Sequence, residues 1–70
     1  MVWLNKVGFS YRQGMTLAEL VDDFNATHRK LAFDQFVVII NDAAVPSLQA
    51  GERVLNDDDK ITMVPFLSGG

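Results

Sequence analysis

The stretch Thr16-Leu17-Ala18-Glu19 does most to limit how this chain folds. Threonine followed by glutamate three residues later is a capping box. The threonine oxygen accepts from the glutamate N–H, and the glutamate carboxylate reaches back to the threonine N–H. Behind it, Leu17, Leu20, Val21 and Phe24 recur at offsets of 3, 4 and 7 and line one helical face. Asp22 and Asp23 fall on the wet side. The pattern predicts a helix that starts after Thr16 and frays over 25–28. The remaining apolar segments read as strands, so one helix must cover one face of one sheet.

Those segments follow in order. Val2 to Asn5 reads as a short first strand, and Lys6-Val7-Gly8 as a turn in which Gly8 supplies positive φ. Phe9 and Tyr11 alternate with Ser10 and predict a second, antiparallel strand that Gly14 ends. Phe36 to Ile40 is continuously apolar and β-branched, a central strand at least partly covered on both faces. Asn41-Asp42 is turn chemistry, Val45 starts a short return strand, and Pro46 ends it. Ser47 to Glu52 reads as loop, Val54-Leu55 as a small apolar anchor, and Asn56 to Asp59 as a solvated acidic turn. Lys60 to Val64 is the last strand. The long crossover between them lets the first and last strands pair in parallel at the centre.

Composition excludes several functions. A chain of 70 residues is one domain, and at this size only about 60% of the unfolded surface is buried. There is no cysteine. Small secreted domains are usually stapled by disulfides, so the expected location is the reducing cytoplasm. The same absence removes thiol nucleophiles and thiolate metal sites, and no metal or bound cofactor is expected. No apolar run approaches the ~20 residues of a membrane span. The net charge is −3, and the six basic residues are scattered, which disfavours nucleic acid as a partner.

The sequence closes on Ser68-Gly69-Gly70, just beyond the apolar run Ile61 to Leu67, which contains Pro65. A strand followed by two residues without side chains suits the presentation of a terminal carboxylate away from the body. A free α-carboxyl is ionised at neutral pH. From Pro65 to Gly70 the chain reaches at most ~20 Å when extended. That is enough to enter a buried pocket while the body docks outside.

This order of elements, ending on a glycine pair, resembles the α+β ubiquitin-like β-grasp fold, with one helix packed on a mixed sheet of four to five strands. Within that fold the chain is similar to the ThiS/MoaD family of sulfur carriers. The matching pieces are the strand ending at Asn5, the helix start Gly14 to Leu20, and Val38-Ile39-Ile40-Asn41-Asp42. They continue through Val45-Pro46, Leu55 to Ile61, and Gly69-Gly70. Asp58 stands where the family usually has glycine, a mild departure because aspartate tolerates left-handed backbone. The compact first hairpin with Asn5 resembles the thiamine-type carriers, which is the branch favoured. Met63 to Leu67 resembles the proline-containing approach of the molybdopterin-type carriers.

The resemblance implies a β-grasp domain over 1–65 and a flexible tail over 66–70. It implies a carrier rather than an enzyme, with no catalytic residue of its own. An ubiquitin-activating-like adenylyltransferase would use ATP to activate the Gly70 carboxylate. A sulfur donor, such as a cysteine desulfurase, would convert it to a thiocarboxylate. A thiazole synthase, or the large subunit of molybdopterin synthase, would then take the sulfur. Ser68 and Gly69 would enter the partner's channel ahead of Gly70, since a Cβ would crowd that approach.

Partner binding is expected on apolar surface the helix leaves uncovered. Strand alternation puts Ile61 and Met63 on one face and Thr62 and Val64 on the other. Val64, with Phe66 and Leu67 beside the tail, is expected to form an exposed apolar patch. His28 is the sole histidine and reads as a favourable cation at a helix end. Asp57 to Asp59 lack the spacing of a calcium loop. Two other classes share the features: a modifier that forms isopeptide bonds through Gly70, and a non-covalent β-grasp interaction module.

Overall fold

The computed structural model describes residues 1–28 and 30–66. They form five strands, β1 (Val2–Leu4), β2 (Val7–Phe9), β3 (Phe36–Ile40), β4 (Ala43–Val45) and β5 (Lys60–Pro65), and two helices, α1 (Leu17–Thr27) and α2 (Ser47–Ala50). The sheet runs in the order β2-β1-β5-β3-β4. β1 and β5 are parallel, and the other neighbours are antiparallel. This is the expected β-grasp arrangement, with the last strand at its centre.

Helix α1 opens as its sequence predicts. Thr16 is extended (φ −103°, ψ 163°), its Oγ1 accepts from the Glu19 N–H, and the Glu19 Oε1 accepts from the Thr16 N–H at 2.8 Å. Leu17, Leu20, Val21 and Phe24 are buried against the inner sheet face. The helix holds to Thr27 rather than fraying at Asn25. The His28 N–H donates to the Phe24 carbonyl at 2.8 Å, and the His28 ring stacks on Phe24 with centroids 4.8 Å apart. The Asn25 side chain bonds both main-chain groups of Leu31, at 2.7 and 3.0 Å, and so tethers the following loop.

Val2 and Leu4 of β1, Ile61 and Met63 of β5, and Val38 and Ile40 of β3 point into the core, as alternation requires. Leu17 and Leu20 of α1 and Leu55 complete it. Val54 faces outward, so only Leu55 of the expected anchor is buried. The 47–52 segment, expected as loop, contains α2. Its Ala50 is buried, while Leu48 is 84% exposed.

The first turn lies two residues earlier than the glycine suggests. Leu4 pairs with Val7, so the turn is Asn5-Lys6, with φ of 50° and 72°. Asn41-Asp42, with φ of 50° and 70°, makes the same kind of turn between Ile40 and Ala43. Two-residue hairpins favour left-handed backbone at both positions because its twist matches the strands. Gly8 is opposite Trp3 inside β2, and a Cβ there would come within 3.0 Å of the Trp3 ring. Glycine at position 8 therefore makes room for an indole. The second strand ends at Phe9, and Tyr11 packs on the core beyond it.

Candidate functional site

The site is built around β5, the strand that leads to the C-terminal residues. Its neighbours hold it from both sides by main-chain pairing and by two asparagines. At one end, Asn41 Oδ1 accepts from the Lys60 N–H at 3.0 Å. Further along the strand, Asn5 Oδ1 accepts from the Met63 N–H at 2.8 Å, and Asn5 Nδ2 donates to the Met63 carbonyl at 3.2 Å. Each asparagine is also a left-handed turn residue. The two hairpin turns thus aim polar side chains at the central strand.

The acidic turn before β5 divides in two. Asp57 and Asp58 are exposed as expected, but Asp59 is buried, which corrects the reading of a wholly solvated turn. Asp59 Oδ2 accepts from the Asn56 N–H at 2.8 Å, and Oδ1 accepts from Asn41 Nδ2 at 2.9 Å. These bonds explain how a carboxylate is tolerated there. Asp58 has φ 71°, the left-handed conformation expected at the position where the family usually has glycine. The amino group of Met1 bonds to Asp57 and holds its carboxyl below the usual carboxylate range.

Past Met63, Val64 pairs with Val37 and Pro65 with Phe36. The Phe66 N–H donates to the Gln35 carbonyl at 3.1 Å, so the main chain is still tied to the body at Phe66. Val64 is 41% and Phe66 48% exposed. Of the sequence-predicted patch, these two lie at the end of β5. Leu67, Ser68, Gly69 and Gly70 lie outside the described residues.

The outer sheet face carries Trp3, Val37, Ile39, Thr62 and Val64, with Ile39 paired to Thr62 on one side and Ala44 on the other. Beside them is an open groove of about 770 Å³ between Trp3 and Ile39, edged by Lys6, Lys60, Asp42 and Asp58. A second groove, of about 320 Å³, lies elsewhere and shares no lining residue with the first. It is formed by Phe33, Asp34, Ser47, Leu48 and Phe66. Sequence reasoning missed its Leu48 wall, because a four-residue helix is too short to show a period. The one available signal was an apolar residue inside an otherwise polar and small segment.

His28, expected as a helix-end cation, packs against aromatic rings in the structure. Its ring stacks on Phe24, lies edge-on to Phe9, and has Nδ1 2.7 Å from the Thr27 hydroxyl. Among the described residues no three His, Asp or Glu side chains converge to hold a metal ion. No helix among them is long and apolar enough to cross a membrane.

A mixed sheet with a parallel central pair, one long capped helix on its inner face, and the last strand at the sheet centre define a ubiquitin-like β-grasp protein. The family model for the ThiS family matches residues 5–70, and the chain belongs to that family. It is therefore a small ubiquitin-like carrier of sulfur, of a kind that works with adenylating and synthase partners. The match runs through Gly69-Gly70 and includes every residue of the predicted site. Comparison with curated proteins gives no match.

Proposed function

We propose that this chain carries sulfur as a thiocarboxylate on Gly70 and delivers it to thiazole formation in thiamine biosynthesis. The observation that supports the chemistry best is the continuity of the family match through the glycine pair. The placement of β5 adds to it. The main chain is bonded to the body at Phe66, and four residues follow it in the sequence. Four extended residues reach at most ~14 Å.

The steps follow from carbonyl chemistry. A carboxylate is a poor electrophile because its charge is delocalised. One Gly70 oxygen attacks the α-phosphorus of ATP, pyrophosphate leaves, and an acyl-adenylate forms. A sulfur nucleophile at the oxidation level of sulfide then attacks the acyl carbon. The C–O bond to AMP breaks, AMP departs, and the thiocarboxylate remains. If the sulfur arrives as a persulfide, a second thiol supplies the two electrons that split the acyl disulfide. The adenylating enzyme provides the acid, base and nucleotide site, and this chain provides the acyl group.

Asn5 and the two-residue first turn favour the thiamine branch over the molybdopterin branch. Pro65 at the end of β5 is the feature that favours the latter. Intact mass of the protein isolated from its own cells tests the proposal. A mass change equal to one oxygen replaced by sulfur, absent from a Gly70-deleted chain, is the expected result. Unchanged mass, with Gly70 found joined to lysines of other proteins, would support a protein modifier instead. A thiazole synthase co-purifying with the chain supports the thiamine branch, and a molybdopterin synthase subunit overturns it.

A further inference from the structure

We infer that Leu48 and Phe66 form an apolar socket beside the tail, and that it receives an apolar side chain, flanked by a lysine or arginine, from the adenylating enzyme. This rests on the proposed activation of Gly70. Leu48 is 84% exposed although the helix that carries it is fixed. Ala50, two residues on, is buried, and Gly51 lies against Phe33, to which a Cβ would come within 3.4 Å. The leucine is therefore held out by a packed element.

Leu48 is not an isolated surface residue, which would need no explanation. It shares a groove of about 320 Å³ with Phe33 and Phe66, and the exposed Asp34 also lines it. An aromatic wall, an aliphatic wall and one carboxylate suit an apolar anchor with a cation beside it.

Reach identifies the occupant. Gly70 is four residues beyond Phe66, at most ~14 Å along the chain. An enzyme that encloses the Gly70 carboxylate must therefore rest against the body near Phe66. The groove has Phe66 as a wall, so it falls inside that footprint. Asp34 and the net charge of −3 favour a basic partner surface and speed its approach at low salt. The outer-face groove shares none of these lining residues, so the two surfaces can be varied separately.

The test is pyrophosphate exchange by the purified adenylating enzyme from the same organism, with the full chain varied. Leu48→Ala should raise the carrier KM about tenfold with kcat unchanged, the behaviour of an anchor that binds without touching the reacting atoms. Asp34→Lys should raise KM further and flatten its salt dependence. The exposure of Leu48 means that thermal melting of Leu48→Ala should match the parent chain. Gly70→Ala should instead lower kcat, which separates the socket from the acyl group. Wild-type KM in both Leu48→Ala and Asp34→Lys overturns the inference while leaving the proposed function standing. A fall in KM would show the groove occupied by the chain's own Leu67, and self-association lost in Leu48→Asp would assign it to a second copy. Either result overturns the inference. If the parent chain is not adenylated at all, the functional reading fails and takes the socket with it.

Discussion

Asn5 bonds both main-chain groups of Met63, accepting from its N–H at 2.8 Å and donating to its carbonyl at 3.2 Å. The side chain thereby continues the parallel pairing of β1 with β5 after the main chain of β1 has turned away. Asn5 does this from a left-handed position, φ 50°, that also closes the first hairpin. One residue thus joins the edge hairpin to the strand that leads to the tail.

That double role sets the first prediction. Asn5→Ala loses two bonds and places an alanine at positive φ. Bonds of this kind contribute about 1 kcal/mol each, and the left-handed cost adds at least about 1 kcal/mol. A loss of about 2–3 kcal/mol is expected. Asn5→Gly keeps the backbone relaxed and should lose about 1 kcal/mol less. Chemical denaturation of the two variants checks the ordering, and equal losses would show that the backbone conformation is not what asparagine supplies.

Asp59 gives the second. It is the buried ionisable side chain among the described residues, and both of its oxygens are bonded. Asp59→Ala leaves the Asn56 N–H and the Asn41 amide without their acceptor, at a cost of about 1–3 kcal/mol. Asp57→Ala, at an exposed site, should change stability by no more than about 0.5 kcal/mol. Thermal melts of the two variants should differ accordingly, about 4–8 °C for each kcal/mol in a domain of this size.

Asp58 gives a third, in the opposite direction. At φ 71° an aspartate is strained by roughly 1 kcal/mol relative to glycine, and glycine's own entropic cost offsets only part of that. Asp58→Gly should therefore raise the melting temperature by a few degrees. A lower one would mean that the aspartate side chain stabilises the turn more than its backbone strains it.

These residues also mark how far the fold could be read in advance. The capping box at Thr16 and the alternation in β5 were legible, because each is a short-range pattern with one structural solution. The first turn was misplaced because Gly8 looks like turn chemistry. Its glycine answers instead to the Trp3 ring, a neighbour across the ladder that no local pattern contains. Asp59 hid inside an acidic run, since burial depends on Asn41 arriving from another hairpin. Leu48 sits on a helix too short to show a period, and its groove is not local either. Its partner Phe66 is distant in the chain and meets it only when β5 reaches the sheet end. Of the candidate site, Val64 and Phe66 were predicted and lie at the end of β5, whereas the socket wall required the tertiary structure.

The last prediction concerns Gly70 itself. Gly70 lies beyond β5 in the sequence, and the bonds described for that strand belong to residues up to Phe66. Gly70→Ala should therefore melt with the parent chain. The acyl carbon, however, must approach the α-phosphorus of ATP and then a sulfur donor, both inside a partner's channel. A Cβ crowds both approaches and restricts the backbone to negative φ. A displacement of about 1 Å at a reacting centre costs on the order of 100-fold in rate. Single-turnover adenylation should slow by about that factor while binding of the carrier to the enzyme is retained. Equal rates for parent and variant would mean that the channel does not select glycine, and that the terminal pair is conformational slack rather than a fitted acyl group.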